Sequence, residues 1–344
     1  MALPLQALIR DFVQIPIKRL PAMLSSKFPE FANTLIGRRL VISVPGSTTN
    51  LGPGFDAIGL ALNVYSRFTF FFSEGDRLQI HAKGSCAAEL SDKKNNLLLN
   101  VLLSALEQSE EQLRGLNITI ETDIPLARGL GSSSTAVLSA LWAAEILKGH
   151  APDRMKVLAA AAQIEGHPDN VAASLLGGLV VCAPSIHGSK AVVKQLAWPE
   201  KWKTIVVVPP YKLSTEIARA ALPRQVPLKD ATANVQRAAL FVTAVASKDD
   251  EALRESLIDN LHEPYRAALV PDLNKLKALV RGTSGLGCVL SGAGSSVLII
   301  VNRRNQQDLM HELTSWCSRQ GEGYKVLNLD VDTNGLRADY ESFN

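Results

Sequence analysis

An α+β protein of two domains is what this sequence predicts, and three observations predict it. The chain has 344 residues, which at roughly 100–200 residues per domain favours two cores rather than one. From about residue 40 onward, short β-branched and aromatic runs interleave with longer apolar patterns of helical period. A stretch rich in Pro, Ser, His and Gly, residues 184–199, interrupts that alternation and puts a boundary near 185–205. The predicted division is an N-terminal extension over 1–39, a first domain over 40–195 and a second over 204–335.

In chain order, Leu40–Val44, Phe68–Phe72, Leu78–His81 and Asn117–Glu121 read as strands, being rich in Val, Ile, Phe and Thr. Leu97–Leu113 reads as a helix. So does Ser132–Leu147, with a serine-rich start and an apolar stripe at Val137, Leu138, Leu141, Trp142 and Ile146. Helices Met155–Ile164 and Pro168–Leu176 follow, then a buried strand at Leu179–Cys182. Beyond the break, Thr204–Val208 is a strand closed by Pro209 and Pro210. Helical patterns come next at Thr215–Leu222, Ala231–Ala246, Asp249–Leu261 and Asp272–Val280. Strands at Cys288–Leu290 and Ser296–Val301 flank a Ser-Gly-Ala-Gly turn, and a helix at Gln306–Arg319 and a strand at Lys325–Leu329 complete the second domain.

Composition narrows the function classes. Hydrophobic residues make up 47% and charged residues 20%, which excludes an extended disordered chain. No apolar run reaches the roughly 18 residues of a membrane span. Lys and Arg number 36 against 33 Asp and Glu, a net +3. Residues 1–39 hold six bases and two acids, a balance of +4, so the other 305 residues sum to −1. The body of the protein therefore has no basic face for nucleic acid. The extension is basic and acid-poor like an organellar transit peptide, but its two serines and four prolines favour a solvated segment and a cytoplasmic protein, with a plastid location as the alternative. Cys86, Cys182, Cys288 and Cys317 are far apart, and the six histidines are scattered, so neither a disulfide framework nor a zinc site is expected. The oligomeric state stays open, a homodimer being one option.

Three glycine-rich segments carry the chemistry. The strongest runs Pro125, Leu126, Ala127, Arg128, Gly129, Leu130, Gly131, Ser132, Ser133, Ser134, Thr135, between a strand and a helix. Its glycines let the backbone approach a ligand, and the helix start offers free N–H groups and the positive end of the dipole, which suits a polyphosphate. A tight turn with a serine cap is the plainer alternative. It lacks the Gly-Lys-Ser/Thr of a Walker loop and does not match the dinucleotide fingerprint. The second segment, Pro45 to Asp56, follows the first strand, and its Asn50 and Asp56 could recognise a polar substrate or merely stabilise a turn. The third is Ser291-Gly-Ala-Gly-Ser295. Between them lies Glu165-Gly-His-Pro-Asp-Asn170, where an acid could hold magnesium or a charge could simply start a helix.

These segments, in this order, resemble the GHMP kinases from about Val41 to the end of the chain. Within that family the resemblance is to the homoserine kinase branch. It rests on Thr49-Asn-Leu-Gly-Pro-Gly-Phe-Asp56, Glu165-Gly-His-Pro-Asp-Asn-Val171, Ser214-Thr-Glu-Ile-Ala-Arg219 and Glu263-Pro-Tyr-Arg266. The substrate loop departs slightly, opening Pro45-Gly-Ser-Thr-Thr-Asn50 where the family usually has Pro-Ala-Thr-Ser-Ala-Asn. The resemblance implies the two-domain GHMP fold with the active site in the cleft between domains. It implies ATP on residues 125–135 with Asn96 near the adenosine, and Mg2+ on Ser133 and Glu165. Asn50, Asp56, Asn170, Arg219 and Arg266 would surround L-homoserine, Asp56 facing its ammonium and the arginines its carboxylate. Asn170, Asp169 and Arg219 would lie closest to the chemistry. Of the adjacent Asp169 and Asn170, the resemblance favours Asn170 facing the transferred phosphate, with Asp169 holding the turn. A sibling kinase, such as one for mevalonate, and a non-catalytic sensor on the same fold are the alternatives.

Overall fold

A computed structural model describes residues 38–73, 75–84, 86–186 and 191–342. The expected N-terminal extension therefore lies, apart from its last two residues, outside the described residues. Strand β1 (Arg38–Asn50) and strand β2 (Gly54–Phe72) form one long antiparallel hairpin, with Ile42 opposite Phe68. Both run further than their apolar patterns suggest. Pro45, Gly46 and Gly54 read as strand breakers, yet register shifts at Pro45/Gly46 and Thr49/Asn50 absorb the irregularity without ending the pairing. The expected substrate loop is thus the end of a hairpin, carrying left-handed backbone at Asn50, Leu51, Gly52 and Asp56.

Strand β3 (Gln79–Lys83) runs parallel to β4 (Leu116–Thr122), which pairs with β2; β5 (Leu179–Pro184) pairs with both β2 and β6 (Ala191–Leu196). Helices α1 (Ala87–Ser91), α3 (Ser132–Leu147) and α5 (Asp169–Leu176) pack on this sheet, and α2 (Leu97–Leu106) and α4 (Arg154–Glu165) pack against α3. The helix expected over 97–113 stops at Leu106, where Glu107 turns left-handed, and Glu110–Leu113 is a separate 3-10 turn. Leu98, Leu102, Val137, Leu141, Val171 and Leu175 pack with Ile42, Phe70 and Ile118 in the first core. Each such side chain contributes roughly 1.5–3 kcal/mol by leaving water.

The second sheet is antiparallel, in the order β10 (Lys325–Leu329), β7 (Trp202–Val208), β9 (Val297–Asn302), β8 (Gly285–Leu290). Helices α6 (Thr215–Ala220), α7 (Leu228–Ser247), α8 (Asp250–Ser256), the single turn α9 (Glu263–Arg266), α10 (Asp272–Arg281) and α11 (Gln306–Gln320) complete this half. The last strand, β11 (Arg337–Ser342), returns to pair with β1, tying the end of the chain to the first sheet.

A central core joins the halves. It takes Leu51, Ile58, Leu60, Leu62 and Val64 from the hairpin and Leu130 from the glycine-rich segment 125–135, against Val206, Phe241, Leu253, Val289 and Leu298 of the second half. The glycine-rich segments therefore sit on apolar packing shared by both sheets, and their relative positions are set by it. No disulfide joins the four cysteines. Among the described residues no helix is long and apolar enough to cross a membrane.

Candidate active site

The three glycine-rich segments meet. The Ser47 N–H donates to the Leu130 carbonyl at 3.1 Å, and the Gly292 N–H donates to the Thr49 carbonyl at 3.1 Å. The Ser291 hydroxyl lies 2.7 Å from the Gly129 carbonyl and 2.8 Å from the Thr48 hydroxyl. This contact explains two glycines. A Cβ on Gly129 (φ +73°) would run into the Ser291 carbonyl, and one on Gly131 (φ +73°) into the Ser47 hydroxyl. Helix α3 begins behind Gly131 with no side-chain cap, so its first N–H groups keep their donors for a ligand. The serine cap, the plainer reading of this turn, is not present.

Within residues 125–135 the side chains divide. Leu126, Ser132 and Thr135 line a cavity of about 50 Å3 with Ser66, Asn96 and Ala136. Asn96 caps α2: its Oδ1 accepts from the Leu99 N–H at 3.0 Å and its Nδ2 donates to the Leu90 carbonyl at 2.6 Å. It stands in the wall with its amide already engaged. The Arg128 guanidinium also points elsewhere, donating to the carbonyls of Leu126, Pro209 and Pro210 and tying the loop to the second half. Pro125 is half-buried, and the Ala127 carbonyl accepts from the Leu213 N–H at 3.0 Å. Ser134 is buried and its hydroxyl has no partner among the described residues.

Ser133, in the first turn of α3, donates to Glu165 Oε2 at 3.2 Å. Glu165 closes α4. Desolvation by burial raises its pKa, with His167 and the Ser133 hydrogen bond pulling it down and Asp169 adding to the rise. Among the described residues no group of three or more His, Cys, Asp and Glu could hold a metal. Ser133 and Glu165 instead supply a hydroxyl and one half-buried carboxylate beside the glycine-rich segment 125–135. That set fits magnesium, which takes hard oxygen donors and few protein ligands when phosphate oxygens complete its shell.

Asp169 and Asn170 face different ways. Asn170 bridges to the hairpin, its Oδ1 accepting from the Ser47 hydroxyl at 2.9 Å and its Nδ2 donating to the Thr49 hydroxyl at 3.1 Å. Asp169 is buried and accepts from the His167 Nδ1–H at 2.7 Å and from the Asn170 N–H at 2.8 Å. A carboxylate can only accept there, so the proton of this pair sits on the imidazole.

The residues expected to meet a zwitterion pair with each other. Arg219 donates to Asp56 through two parallel bonds, Nη2 to Oδ1 at 2.8 Å and Nη1 to Oδ2 at 3.0 Å. The residue expected to face an ammonium and one expected to face a carboxylate thus neutralise each other. Arg266 is buried and stands over the Phe55 ring at 5.4 Å, with Arg219 at 5.8 Å from the same ring. Burial, followed by the charge of Arg219, pushes Arg266 down to about 10, which leaves it cationic at neutral pH. Asn50 is placed otherwise than expected for a substrate contact. Its Oδ1 accepts from the Asp56 N–H at 3.0 Å and its Nδ2 donates to the Gly292 carbonyl at 2.9 Å, so it joins two loops.

Ser47, Thr49, Phe55, His167, Ser291 and His262 contact these residues and carry no site role in the sequence reading. Small hydroxyls in a glycine-rich run carry no signal of which neighbour they meet 120 or more positions away. The Ser-Gly-Ala-Gly turn was visible, but not its role as the partner of Gly129.

Comparison with known proteins agrees with this geometry. Residues 96–178 match the family described as GHMP kinases N terminal domain, and 241–319 match GHMP kinases C terminal. Homoserine kinase of Synechococcus sp. is 34% identical over 306 residues, 89% of this chain and 100% of the relative. Homoserine kinase of Prochlorococcus marinus subsp. pastoris is 33% identical over 302 residues, 87% of this chain and 96% of the relative. The crystal structure of homoserine kinase from Cytophaga hutchinsonii shares the fold at a TM-score of 0.75, with 24% identity, 88% of this chain and 97% of that one covered. With glycine loops that interlock and relatives aligned over nearly their whole length, the chain belongs to the homoserine kinase family of the GHMP kinases.

Proposed function

We propose that this protein transfers the γ-phosphoryl group of ATP to the side-chain hydroxyl of L-homoserine, giving O-phospho-L-homoserine and ADP, a step toward threonine. The observation that carries this reading is the pairing of both charge signs beside the phosphate loop: Asp56 with Arg219 and Arg266 around Phe55. An amino acid presents an ammonium and a carboxylate at once, and only a pocket with both signs answers both. Mevalonate has no ammonium, so Asp56 would be left without a role in a mevalonate kinase.

Phosphoryl transfer asks mainly for alignment and neutralisation of charge. The N–H groups at the start of α3 and the loop 125–135 cradle the β- and γ-phosphates in this reading. Ser133 and Glu165 would hold Mg2+, which neutralises phosphate charge when it enters with the nucleotide. Entry of the substrate opens the Asp56–Arg219 pair: Asp56 takes the ammonium, while Arg219 and Arg266 take the carboxylate. Asn170, held between Ser47 and Thr49, aligns the hydroxyl. That oxygen attacks the γ-phosphorus, the bond to the β–γ bridging oxygen breaks, and ADP leaves. Because Asp169 is already hydrogen-bonded to His167 and Asn170, the proton passes to a γ-phosphate oxygen, and no side chain serves as base.

The division into a nucleotide domain over 40–195 and a second domain over 204–335 is part of this reading, supported by the two separate sheets. A cytoplasmic location is part of it too, with a plastid one the alternative if residues 1–39 act as a transit peptide. The test is a coupled ADP-release assay with homoserine, serine, mevalonate and galactose. Homoserine should stimulate most. Stimulation by mevalonate alone would favour the sibling kinase, and none by any of them a sensor.

A further inference from the structure

We propose that His262 is a positioning residue for substrate recognition: as a neutral imidazole with its proton on Nε2, it aims the Arg266 guanidinium at the substrate carboxylate. This rests on the homoserine reading above and adds a residue to it.

The tautomer follows from the partners. His262 is fully buried, and its Nε2 lies 2.9 Å from the Gly52 carbonyl oxygen. A carbonyl can only accept, so Nε2 carries the proton. The ring's other nitrogen, Nδ1, lies 3.3 Å from Arg266 Nη1, which can only donate, so Nδ1 presents its lone pair. The ring is clamped flat against Phe55, with centroids 5.1 Å apart and planes 22° from parallel. One imidazole thus connects the hairpin end at Gly52, the Phe55 ring and the buried arginine.

The consequence lies in how Arg266 distributes its donors. Nε–H goes to the Ala218 carbonyl at 3.2 Å; Nη1 lies 3.3 Å from the Gly292 carbonyl and 3.3 Å from His262. Nη2 has no hydrogen-bond partner among the described residues, which leaves that edge for a carboxylate. With Nδ1 protonated, donor would face donor and cation would face cation, and the guanidinium would lose one of its three anchors.

The charges around His262 are all identifiable. Asp259 approaches Nε2 to 3.6 Å, and Glu263, on the same turn, is paired with Lys277 from α10. Arg266 faces Nδ1, with Arg219 and Asp56 beyond it. Burial lowers the His262 pKa; Asp259 and Glu263 oppose that and Arg266 reinforces it. The ring is therefore neutral at neutral pH and gains its proton on the acid side.

The experiment measures homoserine KM, ATP KM and kcat for the full chain, for His262→Phe and for His262→Gln. Phenylalanine keeps the stack on Phe55 and removes the acceptor. Glutamine can donate to Gly52 and accept from Arg266, with nothing to titrate. His262→Phe should raise homoserine KM about tenfold, the loss of one hydrogen bond to a charged group, with ATP KM and kcat little changed. His262→Gln should recover most of it. As pH falls below about 6.5, the ordinary imidazole value, the unaltered protein should show a rising homoserine KM that His262→Gln abolishes. If His262→Phe does not fold, the pH comparison with His262→Gln decides alone. Equal KM in all three proteins, or an acid limb that persists in His262→Gln, would overturn the proposal. Absence of homoserine turnover in the unaltered protein would instead overturn the functional reading on which it rests.

Discussion

Replacing Arg219 by leucine should separate the worth of the Asp56–Arg219 pair to the fold from its worth to the substrate. The pair is bidentate, but its side chains are 38% and 36% exposed. Solvent screens such a pair, so its contribution to stability is about 0–1 kcal/mol, and the melting temperature should hardly move. In the proposed complex the substrate carboxylate lies between two guanidiniums, and losing one of them there typically costs about 2–5 kcal/mol. At 1.4 kcal/mol per tenfold, homoserine KM should rise about 30-fold or more. ATP KM should stay near its original value, since the Arg219 guanidinium bonds to Asp56 and stands over Phe55 rather than touching residues 125–135. Arg266→Leu provides the contrast. That arginine is 2% exposed, and its loss leaves the Ala218 carbonyl and the His262 nitrogen without their donor, while the Gly292 carbonyl keeps the Asn50 amide. At about 1–3 kcal/mol for each orphaned group, Arg266→Leu should lose on the order of 2 kcal/mol of stability or more, with a comparable rise in homoserine KM. Thermal melts and a coupled ADP assay on both variants read the two quantities separately. Normal homoserine KM in both with loss of ATP binding, or a larger stability loss in Arg219→Leu, would refute the reasoning.

Three further outcomes are expected. Glu165→Gln should impair use of magnesium–ATP yet stabilise the ligand-free protein at neutral pH: the folded-state pKa of Glu165 is raised, so stability falls as pH rises past its unfolded value, and the amide removes that loss. An unchanged magnesium requirement would sink the metal assignment, and an unchanged or lower melting temperature the electrostatic one. Asn170→Leu should damage kcat by freeing Ser47 and Thr49 and misplacing the hydroxyl, whereas Asp169→Asn should keep a substantial rate; a kcat loss above about 10³-fold in a folded Asp169→Asn would make Asp169 a general base. Gly129→Ala, which drives a methyl into the Ser291 carbonyl, should raise ATP KM and lower the melting point together, and an unaltered ATP KM by steady-state kinetics would separate the loop from the nucleotide.

What could be read from the residues was whatever local chemistry decides. The α3 boundaries, Ser132–Leu147, and the β10 boundaries, Lys325–Leu329, match the sequence reading because glycine punctuation and apolar period agree there. Helix α9 was missed: one turn, with Pro264 inside it, is too short to show a period. Strand β11 was missed because its sequence is mostly polar and it exists by pairing with β1. In the site, the family resemblance implied that Asp56, Arg219 and Arg266 meet a zwitterion, but nothing local indicated that Asp56 and Arg219, 163 positions apart, would hold each other without substrate. Asn50 shows the same limit. Its place in the loop was legible, and its engagement with Gly292, 242 positions away, was not.

Phosphorus NMR of the reaction mixture tests the central claim most directly. With ATP, magnesium and homoserine, the account predicts that the γ-phosphate signal gives way in equal measure to ADP and to a single phosphomonoester, whose phosphorus couples to the protons of the homoserine side-chain methylene. Release of inorganic phosphate without that ester, or a monoester formed from mevalonate but not from homoserine, would contradict it.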